Sequence, residues 1–213
     1  MSSFHTTPEE VRLLCRSGEF QSQTSGQANG YAQANLVILT TKDTAFDFLL
    51  FCQRNPKPCP LIAVLEAGEY LYNSNPDIDT NDINDMDKLK LIDIRTDLPK
   101  YRIFKDGVLV EEVSDIKTHW NENYYTFIIG CSFSFEDAII RSGLLVRHIE
   151  LKRNVPMYNT NIPCNPAGQF SGNLVVSMRP FTISDSIKVT QITSRYPRVH
   201  GAPIHIGDPV SYI

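Results

Sequence analysis

Three stretches of this 213-residue chain concentrate side chains that can move protons or hold anions. In Gly130-Cys131-Ser132-Phe133-Ser134 a thiol and a hydroxyl stand between a strand-like and a helix-like segment. A helix N-terminus there would lower a thiol pKa and offer N–H groups to an anion. The run begins like the Gly-x-Ser-x-Gly nucleophile elbow, but Ser134 stands where the closing glycine belongs, so the elbow fails. Cys131 reads as a nucleophile, as part of an anion-binding turn with Ser132, or as the inert buried thiol that most free cysteines are. The second stretch carries Arg147, His148, Arg153, Asn159 and Asn161, with prolines at 156, 163 and 166. Such prolines preclude regular helix and predict a rigid extended loop, which either displays binding groups or is a plain solvated surface. The third stretch holds Arg198, His200, His205 and Asp208. A metal reading is weakened by Gly201 and Pro203, which exclude a helical histidine pair. Acid–base work by a histidine beside carboxylate-binding arginines fits the same residues, as does a solvated loop.

The elements that must position these groups read as α+β, a mixed domain with helices and strands interspersed rather than strictly alternating. Thr7, Pro8 and Glu10 form a capping-box start to a helix that Gly18 stops. A second helix is expected from about Asp43 to Arg54, then a strand at 61–66. YRIF and VLVEEV flank Asp106-Gly107, a hairpin signal. YYTFII is the most strand-like run, followed by a helix over FEDAIIRSG with Ser134 as N-cap; further strands are expected at LLVRHIE and NLVVSM, and a last helix from about Asp185 to Ser194. The aspartate-rich run at 75–87 lacks the glycine and terminal glutamate of a calcium loop and reads as an acidic surface insertion in a single domain spanning 1–213.

Composition narrows the function classes. Hydrophobic residues at 42% and charged residues at 21% describe a globular chain with a real core. A formal net charge of −4 argues against a nucleic-acid partner gripped by a basic face. No apolar run approaches the ~20 residues that cross a bilayer. The N-terminus carries no signal or transit pattern, so a soluble, cytoplasmic protein is expected in preference to a mitochondrial one. Five irregularly spaced cysteines predict reduced thiols.

Several unusual blocks then point one way: FCQRNPKPCPL at 51–61, DIRTDLPKYRIFKDG at 93–107, FIIGCSFSFEDA at 127–138, RNVPMYNTNIPCNPAG at 153–168, LVVSMRP at 174–180 and ITSRYPRVHGAPIHIGDP at 192–209. Together they resemble the D-glutamate cyclase family over most of the chain. The resemblance implies an intramolecular dehydration of D-glutamate to 5-oxo-D-proline. Both reacting groups share one molecule, so much of a proximity advantage of ~7–11 kcal/mol is already present. The protein must supply a base for the ammonium, charge for the carboxylates and an acid for the leaving oxygen. Arg147, Arg153, Arg179 and Arg198 are expected to bind carboxylates, and His148, His200 and His205 to act as acid or base. Asn159 and Asn161 would hydrogen-bond the α-carboxylate or oxyanion, with Cys131 and Ser132 forming an anion-binding turn. No cofactor is expected; a divalent cation (Mg or Mn) on His200, His205 and Asp208 is the alternative. The expected partner is a small amino acid, and a homo-oligomer is allowed. Family members continue past HIGDP, so a chain lacking the C-terminal segments is expected to uncover apolar surface at NLVVSM and at the helix carrying Ile187 and Ile192. Competing readings are an inactive, small-carboxylate-binding remnant and cysteine-dependent amide chemistry at Cys131.

Overall fold

A computed structural model of the chain describes residues 7–26, 34–74 and 91–211. Helix α1 (Pro8–Arg16) begins as the capping box requires: the Glu10 N–H donates to Thr7 Oγ1 at 3.2 Å and the Thr7 N–H to Glu10 Oε2 at 2.7 Å. Arg16 forks onto the buried Asp97 carboxylate at 2.7 and 2.6 Å and Arg12 joins it, which ties α1 to the segment after residue 90. The principal sheet has three antiparallel strands, β1 (Ala34–Leu39), β7 (Tyr125–Gly130) and β2 (Leu61–Leu65), with β7 central. Central position explains why YTFIIG is buried on both faces. Phe127 and Ile129 pack under α2 (Lys42–Arg54) with Ala45, Phe48 and Cys52, while Ile128 meets Leu65 and Ile94 on the other face.

Smaller two-stranded units surround this sheet: β3 (Leu71–Tyr72) with β4 (Ile92–Asp93), β5 (Tyr101–Lys105) with β6 (Val108–Val113), and β8 (Met157–Pro163) with β9 (Asn173–Ser177). The β5–β6 turn is the expected one, with Asp106 at φ 51° and Gly107 at φ 78°. A second core gathers Phe135 and Ile139 at and in helix α3 (Glu136–Arg141), Val146 just before the short helix α4 (Arg147–Glu150), Val189 of helix α5 (Ile183–Thr193) and Val199 of the segment after it. Five α-helices beside antiparallel strands make the described residues α+β, as expected.

Three local expectations need correction. LLVRHIE is not a strand: Leu144, Val146 and His148 are buried and Leu145 and Arg147 exposed, so the alternation is real, but no strand among the described residues pairs with it and the backbone turns into α4. The stretch after Pro156 is not a loop over residues 157–163: β8 pairs with β9 at Met157–Asn159 and again at Pro163, with a register shift between, so Pro156 lies just before the strand, Pro163 closes it and Pro166 falls beyond it. Ser134 is not an N-cap. A turn of 3-10 helix, Ser132–Phe135, precedes α3 and buries that side chain. The acidic run at 75–87 lies outside the described residues. Val175, Ile183 and Ile187 are exposed, whereas Ile192 packs against the second core.

Candidate active site

Strand β7 ends where another segment presses on it. A Cβ on Gly130 would lie 1.9 Å from the Arg198 carbonyl oxygen, so only glycine lets residues 198–200 cross the strand end. Beyond it the chain turns through Cys131 and the 3-10 segment, which delivers Glu136 at the start of α3 into the interior with no exposure. That buried carboxylate is fully engaged. Glu136 Oε1 accepts from His148 Nε2 at 2.8 Å and from Arg179 Nε and an Nη at 3.1 and 2.6 Å; Oε2 accepts the Ser25 hydroxyl at 2.9 Å. Arg179 also donates to Ser132 Oγ at 3.1 Å and Ser177 Oγ at 2.9 Å, and lies over the Phe135 ring. The Ser25 N–H is held by Asn154 Oδ1 at 3.0 Å.

The network settles the imidazole's orientation. Ser25 donates its hydrogen to Glu136, and Oε1 is an acceptor, so His148 Nε2 must carry a proton. Nδ1 is buried and without a hydrogen-bond partner among the described residues. A buried polar atom left unpaired costs about 1–3 kcal/mol. Burial raises the Glu136 carboxyl, but the His148 and Arg179 hydrogen bonds and charges together outweigh it and hold the group below the usual carboxylate range. Burial pushes the Cys131 thiol up despite donors from Phe133 and Asn35, an environment opposite to that of an activated thiolate.

His200 flanks the cluster from the crossing segment. It holds φ at +79°, and its Nδ1–H donates to the Lys57 carbonyl at 3.0 Å. Burial lowers its pKa, with Lys57 and Arg179 charges acting in the same direction against hydrogen bonds to the Lys57 and Gly130 backbone. Thus Cys131, Ser132, His148, Arg179 and His200 share one region. Arg147, Arg153, Arg198, Asn159 and Asn161 do not join it: all are exposed, and Arg147 lines a separate cleft of about 730 Å³ with Leu145 and Phe181. His205 turns its Nε2 to the Asp208 backbone carbonyl at 2.9 Å. Among the described residues no three His, Cys, Asp or Glu side chains are grouped to hold a metal ion, so His200, His205 and Asp208 do not form the set proposed from sequence. The carboxylate that Arg179 grips is the protein's own. Sequence reasoning missed Glu136 and Ser25. A glutamate three residues before the buried Ile139, on the apolar side of α3, was a usable signal; Ser25 offered none.

A carboxylate, an imidazole and a guanidinium are thus joined in one buried cluster, and one imidazole nitrogen has no partner among the described residues. The family model described as D-glutamate cyclase matches residues 125–213, a span that opens on β7 and contains Glu136, His148, Arg179 and His200. The chain is 54% identical over 203 residues to "Putative hydro-lyase YcsI" of Bacillus subtilis, covering 95% of this chain and 73% of that protein. It is 50% identical over 204 residues to a "Putative hydro-lyase" of Stutzerimonas stutzeri (95% and 71%) and 51% over 209 residues to one of Aliivibrio fischeri (97% and 73%). The chain belongs to the D-glutamate cyclase family.

Proposed function

We propose that the chain is a hydro-lyase that closes D-glutamate to 5-oxo-D-proline with loss of water. The observation that carries this reading is the Nδ1 of His148, unpaired among the described residues, on a ring whose Nε2 is held by Glu136. In the proposed reaction Nδ1 takes a proton from the substrate ammonium, and the freed amine attacks the side-chain carboxyl carbon. The new C–N bond gives a tetrahedral intermediate; the C–O bond then breaks as His148 returns the proton to the departing oxygen. A second proton from nitrogen follows the same route, so the zwitterion yields a lactam and one water. Ser132, whose oxygen accepts from Arg179, has its own hydrogen to offer the developing oxyanion. Glu136 and Arg179 act through His148 and Ser132 as positioning residues.

The test is incubation of the purified chain with D-glutamate or L-glutamate and detection of 5-oxoproline. Faster turnover of the D enantiomer, persisting after EDTA, is expected. Equal rates, or turnover of L-glutamate alone, would refute the assignment, and D-glutamate binding without product would favour a carboxylate-binding protein.

A further inference from the structure

Ser25 joins the cluster of Glu136, His148 and Arg179 from 111 residues before Glu136. It is fully buried, yet residues 19–24 that deliver it are exposed or half-buried, and 20–24 line a cavity of about 530 Å³ together with Lys100, Ser114 and Asn154. Polar contacts hold it on two sides. Its hydroxyl donates to Glu136 Oε2 at 2.9 Å and lies 3.0 Å from His148 Nε2; its N–H donates to Asn154 Oδ1 at 3.0 Å, and the Thr24 hydroxyl reaches the same oxygen at 3.4 Å. Asn154 is exposed and follows α4 through a tight turn, with Lys152 at φ 52° and the Arg153 N–H bonded to the His148 carbonyl at 2.9 Å. Residues 148–154 thus grip Ser25 from both sides, the imidazole on its hydroxyl and the carboxamide on its backbone.

We propose that Ser25 and Asn154 are positioning residues for His148: Asn154 fixes the Ser25 backbone, the Ser25 hydroxyl occupies Oε2 of Glu136, and the carboxylate is thereby held with Oε1 towards the imidazole. The two carboxylate oxygens are loaded unequally. Oε1 accepts three N–H groups, one from His148 and two from Arg179, whereas Oε2 accepts the Ser25 hydroxyl alone among the described residues. A glutamate carboxylate turns in a broad, roughly two-fold well, so its own torsion does not choose this orientation. Without the Ser25 hydroxyl, Oε2 becomes a buried acceptor lacking a donor, which is costly. Swivelling the carboxylate to share the His148 and Arg179 donors between both oxygens relieves that cost and spoils the Nε2–H geometry. Asn154 acts one step further out, because the hydroxyl reaches Oε2 only while the Ser25 backbone stays in place. The consequence for turnover rests on the cyclase reading; the positioning of the ring does not.

The test reads the ring proton by NMR of the full chain with ¹⁵N-labelled histidine. The native protein should show a protonated Nε2 on His148 whose proton exchanges slowly with water. In Asn154→Ala, a change at an exposed residue, that exchange should quicken several-fold to about tenfold, the ratio that one net hydrogen bond supplies. Ser25→Ala should do the same where it folds. Asn154→Asp keeps an oxygen for the Ser25 N–H and should restore slow exchange, while the β7 amides exchange at the native rate in all three. Native exchange of the ring proton in Asn154→Ala, or equally fast exchange in Asn154→Asp and Asn154→Ala, would overturn the positioning role. An equal acceleration of the β7 amides would reduce the effect to general loss of stability and overturn it too. With D-glutamate, Asn154→Ala should lower kcat by the same factor and leave KM unchanged; a change in KM alone would make Asn154 a substrate-binding residue instead. Absence of 5-oxoproline from the native chain counts against the cyclase reading and leaves the ring-proton result to decide the positioning by itself.

Discussion

Replacing Glu136 with glutamine removes one charge while keeping the side-chain shape, and the structure lets its cost be worked out. Four donated hydrogen bonds converge on the carboxylate, from His148, Ser25 and twice from Arg179. Glutamine brings an N–H₂ where an acceptor is needed and leaves the guanidinium, with only 9% of its side chain exposed, without its counter-charge. Breaking a buried pair from one side costs about 3–5 kcal/mol. At ~2–4 °C per kcal/mol for a chain of this size, the thermal midpoint should fall by roughly 6–20 °C. The pH dependence follows from the depressed carboxyl. A group whose folded pKa lies below its unfolded value stabilises the protein above the unfolded value and loses that effect as pH falls through the folded one. The gap between native and Glu136→Gln melts should therefore be widest at neutral pH and close in acid. If His148 is the base, the variant should also form 5-oxoproline about 10²–10⁴-fold more slowly at a temperature where it remains folded. Circular-dichroism melts across pH, paired with the product assay, measure both effects. A midpoint within ~2 °C of the native one at neutral pH would refute the energetic argument, since that shift corresponds to less than about 1 kcal/mol.

Gly130→Ala should cost at least ~1–3 kcal/mol, because the added methyl meets the Arg198 carbonyl at 1.9 Å and either β7 or the crossing segment must move; an unchanged urea midpoint would disprove this contact. Arg179→Lys keeps the charge but cannot reach Glu136, Ser132 and Ser177 at once, so a loss of ~1–3 kcal/mol is expected in the same urea titration. Retention of the native midpoint would show that a point charge suffices.

Which features were legible in the residues depends on how far the interactions reach. Thr7 and Glu10 are three apart and Asp106-Gly107 closes its own turn, so α1 and the β5–β6 hairpin by themselves follow from neighbouring residues. The same holds for helix α2 and for the unbroken apolar run of β7. His148, Arg179, His200, Cys131 and Ser132 were identifiable by type and by the company they keep. Their partners were not. Glu136 lies 12 residues from His148, 43 from Arg179 and 111 from Ser25, and no periodicity links such separations. Burial made the choice: a carboxylate carried inward by α3 must find donors there, and it takes Arg179 and the Nε2 side of His148 out of the pool that composition left open for substrate. Exposed Arg147, Arg153 and Arg198 looked equivalent to Arg179 in the chain because charge alone does not say which side of a fold a guanidinium will occupy. The alternating burial of Leu144, Val146 and His148 was likewise a true signal without a strand, since pairing needs a neighbour that only the tertiary arrangement supplies. Local elements are determined by short-range chemistry; the satisfied Glu136 carboxylate and the His148 Nδ1 left without a partner among the described residues exist only once distant segments are packed together.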